Sequence, residues 1–202
     1  MKKTTKTTLI VLAVVAVCVF ALYRLFAGSY NTMVTLDEAV SSAWAQVQNQ
    51  YQRRLDLVPN LVATVKGAAS HEETVFTEVA EARAKAGGVM QLDKSLLEDE
   101  AAFRRFQEAQ ASLSSSLQRL LMVTESYPSL QANENFLTLQ DQLEGTENRI
   151  ATERKRFNDA ARSYNSYIRQ FPRALIANAS GFRPRPYFEA SAQAQTAPSV
   201  QF

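Results

Sequence analysis

One cysteine and one histidine in 202 residues leave little of the side-chain chemistry from which enzymes and metal sites are built. Cys18 sits inside an apolar run, so no disulfide can form within the chain and thiolate chemistry has no place in its polar part. The redox compartment is therefore left open. His71 by itself cannot complete a zinc site of His and Cys ligands, nor supply both Glu-x-x-His pairs of a di-iron bundle. Every histidine-dependent triad would have to share that one imidazole, and neither a nucleophile elbow nor a glycine-rich phosphate loop supports one. No metal, no cofactor and no enzymatic activity are expected.

Glycine and proline are also scarce, at six each, and aromatic residues make up 9%. Sheets need β-branched residues and frequent turns, whereas Ala, Gln, Glu, Arg and Leu dominate most windows here, so the expectation is all-α. Strong charge is missing as well. With Lys2, Lys3, Lys6 and Arg24 set aside, 18 basic residues face 20 acidic ones after Ser29, which argues against a nucleic-acid partner because counterion release needs a basic face.

What is present begins with an uncharged run of 17 residues from Thr7 to Tyr23. At about 1.5 Å per residue it nearly crosses a hydrocarbon core of roughly 30 Å, and Arg24 can snorkel while Leu25 and Phe26 extend the reach. A cleaved signal peptide ending at Ala27-Gly28-Ser29 is the alternative. The run is longer than such signals use, and Arg24 stands where cleavage regions are neutral, so an anchor is favoured. A lipoprotein cysteine at Cys18 is disfavoured by Val17 before it. Three lysines ahead of the span put the N-terminus in the cytoplasm and the remainder outside. The expected address is the bacterial inner (cytoplasmic) membrane, with a periplasmic or extracellular body.

Two seven-residue series run from Asp37 to Ala86: Trp44, Tyr51, Val58, Val65, Glu72, Val79, Ala86, and Val40, Val47, Arg54, Leu61, Ala68, Val75, Ala82. This spacing holds one helix face toward partner helices, Thr35-Leu-Asp-Glu38 reads as a capping box at the start, and Gly87-Gly88 reads as the end. Pro59 removes a donor and crowds the carbonyl of Leu55, so either a kink or a break near Val58 is expected. A second helix is expected from about Asp93 to Ser126, carrying Leu96, Phe103, Leu113, Leu117 and Leu120. A third is expected from about Gln131 to Gln170, with Phe136, Leu143, Ile150, Phe157, Tyr164 and Phe171 spaced by seven, and Pro172 closing it. The segment Gly181 to Phe188 is too rich in proline for a helix but aromatic enough to pack on the bundle. The division expected is residues 1–6 in the cytoplasm, 7–27 as the transmembrane helix, 30–188 as the bundle and 189–202 as a disordered tail. Short links make neighbours antiparallel, giving an up-and-down helical bundle of four helices if the first breaks at Pro59 and of three if it does not.

A family resemblance rests on particular blocks: Tyr30-Asn31, the run Gln50 to Val62, Val65-Lys66, His71-Glu72, Glu125 to Pro128, Thr146 to Ala151, Phe157-Asn158, Tyr164-Asn165, Phe171-Pro172, Gly181-Phe182 and Tyr187-Phe188. Over residues 30 to 188 the chain resembles the LemA family of bacterial membrane proteins. The departures are Phe157, where the family usually has Tyr, and a serine-rich stretch from Ser112 to Ser116. The resemblance implies a single-pass protein with a four-helix-bundle domain and no established enzymatic activity. It also implies gene neighbours such as HtpX-type proteases or TPM-domain proteins, and hence a link to membrane protein quality control.

The candidate site is a polar layer inside the bundle, drawn from Arg53, Arg54, Asp56 and Asn60 on the first helix, Glu125 on the second, and Glu147, Arg149 and Arg154 on the third. Arg54 occupies a seam position, and Glu147 and Arg154 alternate with Leu143, Ile150 and Phe157 at helical spacing. Such a layer either fixes register, as buried polar groups do in coiled coils, or binds a ligand; the structural role is favoured. From Arg149 to Arg185 nine basic residues stand against Glu153 and Asp159. Four helices would return this basic end to the membrane, where anionic headgroups lie, and three would leave it distal. The expected function is a membrane-anchored interaction or scaffold protein of the bacterial envelope, with an envelope protein as partner and homo-oligomers left open. A lipid-binding bundle and a carboxylate-dependent envelope enzyme are the alternatives.

Overall fold

A computed structural model describes residues 3–90 and 94–189, and among these there are helices and connections but no strand. The tail expected from residue 189 falls outside the described residues except for Glu189. Helix α1 spans Lys3–Ala68, α2 Glu73–Met90, α3 Glu100–Thr124, α4 Pro128–Gln131, α5 Glu134–Arg169 and α6 Arg173–Ala179, with a 3-10 turn at Lys94–Leu97. The fold is all-α, and α1, α2, α3 and α5 form an up-and-down antiparallel bundle in which α1 packs mainly along α5 and α2 along α3.

At 66 residues, α1 is about 100 Å long and carries both the apolar span and the first bundle helix without interruption. The capping box expected at Thr35 to Glu38 is therefore not a helix start. The Thr35 hydroxyl instead donates back to the Asn31 carbonyl at 3.0 Å, as threonine does within a helix.

Pro59 does not end the helix either. The carbonyl it deprives of an amide, that of Leu55, accepts a hydrogen bond from Arg83 Nε at 3.0 Å, so α2 supplies the donor that α1 lacks. The four-helix form comes from a turn ten residues later, at Ala69 to Glu72, where the Glu72 carboxylate accepts from the Tyr127 hydroxyl at 3.1 Å. Because Glu72 lies in that turn, Val65 and Val79 on either side of it both remain buried, and the series reads unbroken through two helices.

Helix α2 runs through Gly87-Gly88 to Met90 rather than stopping there. The second expected helix is shorter, and Leu96 sits in the 3-10 turn before it. Asp99 caps α3 by accepting from the Ala101 and Ala102 amides, and Asn133 caps α5 in the same way. After Pro172 a further helix, α6, appears. It ends in a Schellman turn: the Phe182 amide donates to Ala177 O at 3.0 Å and the Gly181 amide to Asn178 O at 3.4 Å, with Gly181 at φ 79°. That turn sends residues 182–189 back along the bundle as an extended strap.

The core has two parts. One contains Met33, Trp44, Tyr51, Phe103, Phe106, Phe157, Tyr164, Ile176 and Phe188, near the spanning segment. The other, distal, contains Leu55, Leu61, Val65, Val79, Leu113, Leu120, Phe136 and Leu143.

Candidate functional site

Between the two core clusters lies Arg54, whose side chain is 1% exposed. It falls between Tyr51 of one cluster and Leu55 of the other, at a seam position that would otherwise hold an aliphatic residue. A lone buried guanidinium costs several kcal/mol, so its partners decide whether it is tolerated. Its Nη1 donates to Glu147 Oε1 at 2.9 Å and to Ser114 Oγ at 2.7 Å, and its Nη2 to the Gln110 side-chain and backbone oxygens. The guanidinium also lies over the Tyr51 ring, 5.0 Å from its centroid. Burial raises the Tyr51 phenol above its usual value, against the opposing pull of Arg154 and Arg54. Glu147 keeps one edge in water, being 40% exposed.

The structure thus brings Arg54 and Glu147 together and joins them to Gln110 and Ser114. Arg154 stands at the edge of this layer: its Nη2 donates to Glu189 O at 2.9 Å, and its guanidinium sits 4.7 Å from the Phe188 ring centroid. The remaining expected members lie elsewhere. Arg53, Asp56, Asn60, Glu125 and Arg149 are exposed. Asp56 accepts from Gln52 at 2.7 Å, while Arg53 and Arg149 share a shallow surface recess with Asp141. Gln110 was readable in principle, since Phe103, Gln110 and Leu117 are spaced by seven and all are buried.

A second constellation holds the strap against α5. The Arg185 amide donates to Asn165 Oδ1 and Asn165 Nδ2 donates back to Arg185 O, both at 2.8 Å. Seven residues earlier, Asn158 does the same with the amide and carbonyl of Phe188, both at 2.9 Å. Two asparagines thus act as a rail for an extended backbone that has no strand beside it. Between them, Arg185 reaches Asp37 Oδ1 at 2.9 Å and Glu98 Oε1 at 3.3 Å, joining the strap to α1 and to the start of α3. Those carboxylates raise the Arg185 pKa further, although burial opposes them. Tyr164, buried beneath, has its phenol pushed up to about 12, first by burial and then by the charge of Asp37.

Phe188 completes the arrangement. It meets Phe103 at 4.9 Å, Phe157 at 5.4 Å, Trp44 at 6.1 Å and Phe106 at 6.4 Å between ring centroids, so one aromatic plug touches α1, α3 and α5. The packing expected of this segment is what it does. Its asparagine rail was not among the expected site residues, since periodicity picks out the apolar positions, Phe157 and Tyr164, and says nothing about what the amide next to each will hold. Beside the strap, a groove of about 520 Å³ is lined by charged residues of both signs, including Glu100, Arg104, Arg169 and Arg183, over Phe103.

Towards the N-terminus, the apolar side chains from Leu9 to Phe26 are exposed, and the window they form is the one helix long and apolar enough to cross a membrane among the described residues. This is a membrane protein with a helical body. The LemA family model matches residues 43–202. Magnetosome protein MamQ 2 of Paramagnetospirillum magneticum is 31% identical over 194 residues, which cover 89% of this chain and 70% of that relative. Magnetosome protein MamQ of Magnetospirillum gryphiswaldense is 29% identical over 174 residues, covering 79% of this chain and 64% of the relative. On the extent of these matches, the chain belongs to the LemA family.

Proposed function

We propose that the protein is a membrane-anchored interaction protein of the bacterial envelope, which holds a partner at a fixed height above the inner membrane. The observation that carries this reading is the unbroken course of α1 from the apolar span into the bundle, because a continuous helix transmits position in a way that a flexible linker does not. The Arg54 layer supports a structural rather than a ligand-binding use of the bundle interior, since its charges are spent on one another. The mixed-charge groove beside the strap is the docking face, and it suits a polar segment of a protein partner. Lys2, Lys3 and Lys6 favour a cytoplasmic N-terminus, which leaves the bundle periplasmic or extracellular. An HtpX-type protease or a TPM-domain protein, implied by the family resemblance, is the first partner to test, in a quality-control role. The relatives are named for a cell structure rather than for a reaction, which agrees with a binding role.

The test is photocrosslinking in membranes with a reactive residue at Gln107, in the groove, and at Gln118, further along α3. Gln107 should give a discrete protein adduct that Arg104→Glu weakens. Equal labelling at both positions, or a purified chain that turns over an envelope substrate without any adduct, would remove the proposal.

A further inference from the structure

Phe171 is the last member of the cleanest series in the sequence, yet it is 85% exposed while Phe136, Leu143, Ile150, Phe157 and Tyr164 are all buried. On α6, Leu175 is 65% exposed. Leaving such side chains in water forgoes the gain of burying them, so their surroundings matter. Those surroundings are set by α1. Its side chains change from uniformly exposed apolar ones, ending at Leu25 and Phe26, to protein-covered ones, starting at Ser29 and Met33. About 20 residues of helix cross the hydrocarbon, so a span starting near Thr7 leaves it near Phe26.

The corner between α5 and α6 stands at this same level. Phe171 and Arg173 share a pocket of about 490 Å³ with Arg24, Leu25, Ser29 and Thr32 of α1, and no carboxylate lines it. Two arginines therefore line one recess where the helix leaves the bilayer. The Arg173 guanidinium is held in place by a hydrogen bond to the Gln170 side chain and by the Tyr167 ring, 4.2 Å from its centroid, neither of which neutralises it. Arg24, at the end of the span, is exposed.

We propose that this corner is a binding site for the phosphate headgroup of an anionic glycerophospholipid in the leaflet from which the bundle emerges. Arg24 and Arg173 bind the phosphate, the Ser29 and Thr32 edge of α1 forms the polar wall, and Phe171 and Leu25 lie against the upper acyl chains. Phe171 thus finds in lipid the cover that the bundle does not give it. The site adds a second attachment beside the spanning helix and so fixes the tilt of the bundle on the membrane, which goes beyond a role in binding a protein partner.

The test uses the full-length chain in detergent, titrated with phosphatidylglycerol or phosphatidylcholine and read by native mass spectrometry. Phosphatidylglycerol should bind preferentially, and Arg24→Gln with Arg173→Gln, which removes both charge-assisted contacts, should weaken it by about tenfold or more. Arg53→Gln with Arg149→Gln, a charge-matched pair at another surface recess, should leave it unchanged. Equal loss from both pairs would reduce the effect to bulk charge and overturn the site, as would equal binding of the two lipids. Displacement by millimolar inorganic phosphate would make it a free-anion site and overturn the lipid assignment. In vesicles, a spin label at Leu175→Cys in a Cys18→Ser background should report acyl-boundary depth; water-like accessibility would also overturn the proposal.

Discussion

The two halves of the bundle solve the same packing problem by different means. The distal half is closed by a fourth helix: the buried side chains of α2, Phe76, Val79, Ala82 and Ala86, all belong to the distal cluster, against Leu and Val from α1, Leu from α3, and Leu143 and Phe136 from α5. In the membrane-proximal half α2 offers Val89 and Met90 as partial cover, and an extended strap carrying Phe188 takes the place of a helix over Trp44, Phe103, Phe106 and Phe157. Helix faces interlock along their length with side chains of modest size. A strap reaches the core at few points, here Phe188 inside it and Phe182 partly covered against it, so it needs large side chains, and its backbone needs polar partners that helices supply for themselves.

The comparison breaks most readily at Trp44, which contacts Phe103, Phe106, Phe157 and Phe188. Trp44→Ala should cost about 3–5 kcal/mol, the range for emptying a large aromatic site. Hydrogen exchange on the full chain in micelles should lose protection around residues 40–51 and 157–168 before residues 113–120. Uniform loss along the bundle would mean that the halves are one cooperative unit.

Arg54 sets how separable they are. Arg54→Ala should cost about 3 kcal/mol, because it strands Gln110 and Glu147 beside a cavity, whereas Arg54→Met, which fills the space with apolar volume, should cost clearly less. Denaturant melts of the two variants check the order. If Met is as damaging as Ala, the hydrogen bonds rather than the filled volume join the clusters.

How much of this was legible follows the same division. The distal half is written in periodicity: Val58, Leu61, Val65 and Val79 occupy the expected seam, and the all-α bundle and the apolar span follow from composition. What stayed hidden was the turn. The missing donor of Pro59 marked a kink or a break there, yet α1 runs on with Arg83 supplying the lost hydrogen bond, as the continuous periodicity suggests, while the real turn hides under Glu72, itself a member of the series. The proximal half depends on pairings between residues far apart in sequence, Asp37 with Arg185 or Asn158 with Phe188, and no local pattern encodes them. For Phe171 the pattern was misleading, since it marks a core position that the bundle leaves open.

A smaller effect isolates the rail. Asn165→Ala removes two hydrogen bonds, one from a backbone amide and one to a carbonyl, and should cost about 1–3 kcal/mol. The strap should also become cleavable after Phe182 and Tyr187 under limited chymotrypsin digestion while α2 and α3 resist. Unchanged cleavage would mean that Phe188 alone seats the strap.

The smallest effect is confined to high pH and concerns Tyr164, under the strap. Its folded pKa is about 12 against an ordinary value of 10, because burial and Asp37 disfavour the phenolate. A raised folded pKa means that the neutral form is the one the fold favours. The stabilisation is complete below pH 10, where both folded and unfolded chains hold the proton, and is lost as pH rises from 10 through 12, where the unfolded chain releases it first. Tyr164→Phe has no proton to release, so its stability should fall less steeply over that window, while its behaviour at neutral pH stays close to that of the parent. Denaturant midpoints at pH 8, 10 and 11 measure the difference. Tyr51 in the Arg54 layer provides the control: burial raises it too, but Arg154 and Arg54 pull against the rise, so Tyr51→Phe should flatten the alkaline slope less. Equal slopes for the two variants would mean that the strap shields its tyrosine no better than the polar layer shields its own.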